Sequence, residues 1–383
     1  IGPLPAMPDQ QPFAGIGVMT PDGFYGRHAQ TQGGAAGLGI PLLLRASASL
    51  QPTRTPLQLA DLGCAQGTNA LLPLGALIEA LRTCGPVPVS VVHTDLPTND
   101  WATLFHVLES DPRSYLRHHA DVYVSVVGRS FYERLFPPDS LSIAWTSSAL
   151  HWLSRVPGPI PDHFFVHRSA DREVQNAYRR QSVSDWTTFL AHRSQELRPG
   201  GSLVWVDVLR REDDTMGAEA LFDCLETALR AARDAGTITT AEYATMVYPT
   251  WFRSLEEFRA PFAPDIADPS GGTLHLEELE PVELPDPFLE SWRSSGDAEA
   301  YGRTQSAFLQ GFLEPSFQAA LKSRPPKVAR DILTSVFSDT ARRMLIHAFA
   351  GEIIERIRHP LAREELDAVV WDRLEDNPQV AAR

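Results

Sequence analysis

The sequence predicts an α/β fold: a doubly wound, mostly parallel sheet followed by a helical cap. Two observations carry this. Short apolar runs alternate with helical patterns between Leu57 and Leu209, and after Arg210 the chain turns to mostly helical segments broken by proline and charge. Strands that alternate with helices are joined by crossovers and therefore pair in parallel.

The elements follow in order. LQLADLG, from Leu57, reads as a short buried strand ending in a glycine turn. Asn69 to Thr83 has helical periodicity in Leu71, Leu74, Leu77, Ile78 and Leu81, with Thr68 to cap it, Gly85 to end it, and Pro73 in the first turn where proline is tolerated. Further strands are expected at Val87–Asp95, 141–147 and 202–209, with a helix near Trp186–Leu197 and the turn RPGG between it and the last strand. Strand-like runs return near Leu274–Leu284 and Leu366–Trp371. The chain thus divides into an N-terminal segment (1–55), a cofactor-binding core (56–210), a helical cap with a core strand near 274–284 (211–365), and a C-terminal strand and tail (366–383). An independent helical domain is the other reading of the third stretch. The first 20 residues receive no fold role.

Composition narrows the function. With 383 residues, 43% apolar and 21% charged, the chain is ordinary globular protein with room for a buried site. A net charge of −14 weighs against a duplex nucleic-acid partner, whose phosphates demand clustered cations. Cys64, Cys84 and Cys224 show no CxxC spacing, so no disulfide framework, structural zinc or other metal is expected. No stretch approaches the roughly 18 apolar residues of a membrane span, and a cytoplasmic location is expected. Of 34 basic residues only Lys322 and Lys327 are lysines, the codon bias of a GC-rich bacterial genome.

The segment Asp61-Leu-Gly-Cys-Ala-Gln-Gly-Thr-Asn69 lies where a strand passes into a helix, the place where open α/β sheets hold ligands. Gly63 and Gly67 let backbone approach a ligand. Their G-x-x-x-G spacing is not the dinucleotide fingerprint, and no GK[ST] follows. An acidic residue opening the turn suits a cationic ligand such as S-adenosylmethionine better than phosphate; a purely structural turn is the plainer reading. Asp95, 34 residues after Asp61, ends the next strand, where a carboxylate accepts from two ribose hydroxyls or caps a helix.

With DLGCAQGTN in hand, HTDLPTNDW (93–101), GRSFYERLFPPDSL (128–141) and TSSALHWLSRVP (146–157) complete a resemblance to the SABATH family of carboxyl methyltransferases. FYGRHAQTQ (24–32) resembles that family's SYAxNSxxQ, and ELRPGGSLV (196–204) its ELxPGGxMV. The resemblance is densest over residues 24–210. It implies a Rossmann-like class I methyltransferase sheet, S-adenosylmethionine as cofactor with S-adenosylhomocysteine as product, and an N-terminal segment that contributes to the active site. Tyr25, Asp61, Gly63, Asn69, Asp95, Leu96, Ser130 and Phe131 would line the donor site, Phe131 stacking on adenine. Gln32 and Trp152 would be the catalytic pair, holding the substrate carboxylate through an amide and an indole N–H. Ser148 and His151 would face the substrate. A homodimer is implied by resemblance alone. Ser148 replaces a Tyr and Ala29 a Ser of the plant pattern, so substrate identity does not carry across.

Read without the resemblance, Trp152, Phe131 and Tyr132 are equally core packing, Gln32 a solvent residue and His151 a satisfied core histidine. His163 and His167, at i and i+4, have metal spacing but no third ligand, so surface histidines are expected. Trp251, Phe252, Phe308 and Phe312 are candidates for a dry pocket wall or for cap core.

The chemistry asks little of the protein. A carboxylic acid with a pKa of about 4 is already ionised at neutral pH, so no general base is needed. What remains is holding oxygen, methyl carbon and sulfur in line at about 3–3.5 Å. A small carboxylic acid is the expected partner, a free fatty acid preferred because Ser148 leaves a longer channel, with benzoate or salicylate next. The rivals are N-methylation of a purine-like molecule, a regulatory protein that binds S-adenosylmethionine without turnover, and a nicotinamide dehydrogenase, which the glycine spacing opposes.

Overall fold

Three short helices, α1 (Phe24–His28), α2 (Gln30–Leu38) and α3 (Ile40–Ala48), precede the sheet. In this computed structural model residues 17–50, 56–83, 85, 87–262 and 274–358 are described, 346–358 by backbone alone. Five strands follow: β1 (Leu57–Leu62), β2 (Val89–Asp95), β3 (Val122–Gly128), β4 (Leu141–Ser147) and β5 (Leu197–Val206). They form one sheet in the order β3-β2-β1-β4-β5, every pair parallel. β1 and β4 are buried almost throughout, because layers on both faces leave a central strand no solvent side.

The strand β3 was not singled out by the sequence. Its burial alternates and Tyr123 is 60% exposed, the signature of an edge strand whose apolar signal is diluted. The expected 202–209 strand starts earlier and ends at Val206, drawing the RPGG turn into β5.

The connections α4 (Leu71–Thr83), α5 (Trp101–Ser110), α6 (Tyr115–His118) and α7 (Arg172–Glu196) cross over the sheet. The apolar positions read from the sequence, Leu71, Leu74, Leu77, Ile78 and Leu81, are the buried face of α4. Thr68 does not cap it: a 3-10 turn over Thr68–Ala70 leads in behind Gly67, with no side-chain cap bond, since the chain arrives from a ligand-type turn. α7 is longer than expected and is capped by Asp171, whose carboxylate accepts from the backbone N–H groups of Glu173 and Val174.

The cap comprises α8 (Glu219–Asp234), α9 (Thr240–Thr245), α10 (Leu255–Arg259), α11 (Pro287–Ser295), α12 (Ala298–Ala320) and α13 (Pro326–Arg358). Its core of Phe222, Leu225, Leu309, Leu313, Phe317 and Leu333 is continuous with Trp152 and Phe165 from the sheet domain. Cap and sheet therefore share apolar surface at the carboxyl ends of β4 and β5. Residues 274–284 carry no strand. They run without regular structure along the outside, where Arg45 of α3 pairs with Glu278 and Leu274 and Leu279 lie half-buried against the core beneath β4 and β5. The expected strand at 366–371 lies outside the described residues. No helix among the described residues is long and apolar enough to cross a membrane.

Candidate active site

An open cleft of about 420 Å³ lies at the carboxyl end of β1, where the strand order reverses between β1 and β4. Tyr25, Asp61, Gly63, Asn69 and Ser147 line it with the backbone of 64–68. Gly63 and Gly67 have φ of 79° and 80°, and Ala65 between them is also left-handed at 45°. A Cβ on Gly63 would stand 2.8 Å from the Ala149 methyl, and one on Gly67 2.4 Å from Leu104 Cδ1. Both positions thus need glycine for shape and for space.

Two carboxylates flank this turn. Asp95, at the end of β2, accepts from Ala65 N–H and Leu96 N–H, each at 2.7 Å. Burial pushes its carboxyl up to about 6, against the pull of those two bonds, with the charge of Asp61 adding to the rise. Asp61 is pinned from below: His93 Nδ1 lies 2.7 Å from its Oδ2, and His93 Nε2 lies 2.7 Å from the Tyr115 hydroxyl. All three are buried. A carboxylate only accepts, so Nδ1 donates its N–H to Asp61, and Nε2 and the Tyr115 hydroxyl share the second bond. Cys64 lies close enough to Asp61 and His93 for the three to resemble a metal cluster, but both His93 nitrogens are already engaged.

Other donor-side residues are set by buried polar contacts. Phe131 reaches to within 3.3 Å of where a Gly63 Cβ would be, so its ring covers the glycine turn. Ser130 Oγ accepts from Tyr132 N–H at 3.2 Å and turns the loop that carries Phe131. The buried Arg193–Glu196 pair at the end of α7 holds this loop: Arg193 donates to the carbonyls of Phe131 (2.7 Å) and Glu133 (3.0 Å), and Glu196 accepts from Leu135 and Phe136 N–H.

The N-terminal arm closes one side. Gln66 Oε1 accepts from Gly26 N–H at 3.0 Å, and its Nε2 donates to Thr20 C=O at 2.9 Å. Thr20 is tied in turn to the carbonyls of Gln310 and Gly311 on α12. One amide side chain therefore joins the glycine turn to the arm bearing Tyr25, and the arm to the cap. Burial raises the Tyr25 phenol well above its usual range, so it stays neutral. Tyr25 also packs against the core containing Trp152 and Phe312.

On the acceptor side Trp152 is 8% exposed, 5.1 Å from the Tyr248 ring. Its indole N–H makes no hydrogen bond among the described residues. His151 Nδ1 lies 2.5 Å from Asp207 Oδ1 and its Nε2 3.3 Å from the Tyr248 hydroxyl. Asp207, one residue past β5, also accepts from Val208 N–H, while its Oδ2 is buried without a partner. Ser148 is half-buried and left-handed at φ 53°, its N–H donating to Val206 C=O. Gln32 sits on α2, one residue before Gly33, which packs on the Asn69 amide; its Oε1 is buried and unpartnered. Amide oxygen and nitrogen are interchangeable at such a position, so a turn of the amide presents N–H instead.

Several expectations need correction. His163 and His167 are not surface residues: each accepts from a backbone N–H, of Phe165 and Phe252 respectively. Desolvation by burial pushes them down to about 4 and about 3, so both are neutral core histidines with an acceptor nitrogen already committed. Of the four cap aromatics, Phe252 and Phe312 share the Trp152 core and Phe308 packs on it, whereas Trp251 lies tilted against the His167 ring and donates to Glu257. Gln66, His93, Asp207 and Tyr248 reached the site unannounced. Gln66 and His93 lay inside quoted motifs without a role assigned to them; Asp207 and Tyr248 are single polar letters in apolar runs, legible after folding alone.

A parallel sheet in this order, with a close-approach glycine turn after β1 and a carboxylate ending β2, defines a Rossmann-like α/β protein with a ligand-sized cleft at its strand ends. Within that class the sequence matches the family described as SAM dependent carboxyl methyltransferase over residues 25–353, and the chain belongs to it, the SABATH methyltransferases. It is therefore an enzyme that takes its methyl group from S-adenosylmethionine. It is 28% identical to gibberellic acid methyltransferase 2 of Arabidopsis thaliana over 325 residues, 78% of this chain and 82% of that one. It is 30% identical to the 3,7-dimethylxanthine N-methyltransferase CkTbS of Camellia sinensis var. assamica, over 68% of this chain and 72% of that one. In fold it resembles a loganic acid methyltransferase with SAH, at a TM-score of 0.61 and 22% identity, covering 79% of this chain and 90% of that one.

Proposed function

We propose that this methyltransferase forms methyl esters of small carboxylic acids, with free fatty acids preferred over benzoate- or salicylate-type acids. The observation that carries the reading is the acceptor side. The Trp152 indole N–H, without a hydrogen-bond partner among the described residues, stands in a wall of Tyr248, Phe252 and Phe312, next to Tyr25 of the donor cleft. An apolar wall with a few aimed donors suits an anion with a greasy body. Gln32, whose amide Oε1 has no partner among the described residues, is the second proposed donor to the carboxylate once that amide is turned, and Ser148, small and half-buried, is read as leaving room for a chain.

On the donor side, Asp61 and Asp95 are read as partners of the cationic amino-acid end and of the ribose, Tyr25, Gly63, Asn69 and Leu96 as further lining, and Ser130 and Phe131 as the adenine wall. Bound there, S-adenosylmethionine supplies an electrophilic methyl group. The residues of this chain supply alignment and dryness. As anion and sulfonium neutralise each other, an apolar surround favours the transition state over separated solvated ions.

A second reading is N-methylation of a purine-like molecule, favoured by the likeness to a dimethylxanthine N-methyltransferase. The deciding experiment is transfer from labelled S-adenosylmethionine to a panel of fatty acids, benzoate, salicylate and xanthines, with products identified by mass spectrometry. Acyl methyl esters are expected. Methylated xanthines without any ester would overturn the carboxylate reading, and donor binding without transfer would point to a regulatory binder.

A further inference from the structure

Ala65 lines the donor cleft in a conformation unusual for its type. It is the second residue of the turn that Gly67 N–H closes on Cys64 C=O at 2.8 Å, and its φ is 45°. That position favours glycine, because a Cβ at positive φ crowds the backbone and disfavours the conformation about 5- to 30-fold. The flanking residues with positive φ, Gly63 and Gly67, are indeed glycines. A disfavoured backbone conformation persists only where its surroundings impose it.

The loop after β2 imposes it on both polar groups of Ala65. The Ala65 N–H donates to Asp95 Oδ2 at 2.7 Å, and its C=O accepts from Asn99 Nδ2 at 2.7 Å. Asn99 is itself held on both sides. Its N–H donates to Leu96 C=O at 3.0 Å, and the next residue, Asp100, caps α5 by accepting from Thr103 N–H at 3.1 Å. Asp100 Oδ2 also accepts from Asp22 N–H at 2.9 Å, where the arm enters α1 through a second left-handed residue, with φ 58°. The loop Asp95–Asp100 therefore grips the floor of the cleft at Ala65 and the arm at Asp22 from one base.

Resting on the reading of this cleft as the S-adenosylmethionine site, we propose that Asn99 is a positioning residue for the donor: it holds Ala65 in the left-handed conformation, so the glycine turn has its binding shape before the donor arrives. Asn99 acts through Ala65 and makes no contact with the donor. Only protein with the turn in place takes up the donor, so the apparent Kd is the intrinsic Kd divided by that fraction. A hydrogen bond between neutral groups, like that from Asn99, favours the held turn by a factor of about 2 to 12. This is comparable with the penalty on alanine, so its loss leaves a large share of the turn in other shapes. Glycine carries no such penalty, since it visits positive φ as readily as negative, and the Asp95 bond alone then keeps the turn. The need for Asn99 is thus a property of the alanine at 65.

Asn99→Leu nearly keeps the side-chain volume and deletes the bond. Binding of S-adenosylhomocysteine is measured calorimetrically at pH 8 in the unaltered enzyme, Asn99→Leu, Ala65→Gly and the double variant, with melting temperatures and Asp95→Asn alongside. Asn99→Leu alone should raise Kd about 3- to 10-fold, and should raise it by less than about twofold when Ala65→Gly is already present. An equal rise with and without Ala65→Gly would show that Asn99 acts by another route and would overturn the proposal. So would an unchanged Kd in Asn99→Leu while Asp95→Asn weakens binding, an outcome that leaves the donor site standing. Unchanged Kd in both Asn99→Leu and Asp95→Asn would overturn the donor-site reading and the proposal with it. Should Asn99→Leu fail to fold, Asn99→Ser, too short to reach the Ala65 carbonyl, takes its place in the same comparison.

Discussion

Removing the charge of Asp95 gives the sharpest test of the donor site. Its carboxyl is pushed up to about 6 by burial, although Ala65 and Leu96 both donate to it. The empty site thus favours the protonated form, which supports the fold below the usual carboxyl range and ceases to as pH rises through 6. On the proposed reading of Asp95 as the ribose acceptor, two hydroxyls need the ionised form, so donor binding expels the proton. The apparent Kd for S-adenosylhomocysteine then scales as one plus the protonated-to-ionised ratio: about twofold above its plateau at pH 6 and about elevenfold at pH 5. In Asp95→Asn a neutral acceptor replaces a charged one, and the amide leaves either Ala65 or Leu96 N–H without its oxygen. Hydrogen bonds to charged groups exceed neutral ones by about 1–2 kcal/mol, so Kd at pH 8 should rise about 5- to 30-fold. The step between pH 5 and 7 should vanish. Calorimetric titration across that range measures both, with the melting temperature of the ligand-free protein as control. A step that survives in Asp95→Asn would refute Asp95 as its origin; an unchanged Kd at pH 8 would refute its contact with the donor.

Three further outcomes are expected. Trp152→Phe keeps a ring in the cap core but deletes the indole N–H, so kcat/KM for the acid should fall about 10- to 150-fold while donor Kd stays nearly constant, measured by steady-state kinetics beside calorimetry. Gln66→Leu removes two hydrogen bonds between the glycine turn and the arm, worth together about 1–3 kcal/mol, and should weaken donor binding about 5- to 150-fold; a lower melting point with unchanged donor Kd would show that the arm serves the fold alone. Arg193→Met strands the buried Glu196 charge and frees the Phe131 loop, so unfolding in urea should reveal a loss of about 3–5 kcal/mol together with weaker donor binding.

The donor half was legible because local rules write it locally. An apolar run becomes a buried strand, glycines mark a turn that approaches ligand, and an acid at a strand end projects over the cleft; the proposed places of Asp61, Gly63 and Asp95 follow from those rules, and that of Asn69 from the family resemblance. The cap aromatics were half legible: the letters showed large apolar groups but not which wall each joined, and Trp251 and Phe252, adjacent in sequence, went to different cores.

What only the tertiary structure decided are the polar groups that become neighbours across long separations. His151 and Asp207 stand 56 positions apart, and His151 and Tyr248 97. Each lies at a strand end or in a loop where no periodicity distinguishes it. The same holds for His93, a polar letter in the apolar run of β2 until Asp61 and Tyr115 close on it. His163 and His167 show the converse, since a spacing read as surface turned out to be core once backbone N–H groups from elsewhere reached their rings. Sequence pattern reports how a segment meets water, and that determined the sheet, the cap and the donor turn. Which charge meets which is set by where the segments pack, because a buried polar group must find its partner in space rather than along the chain.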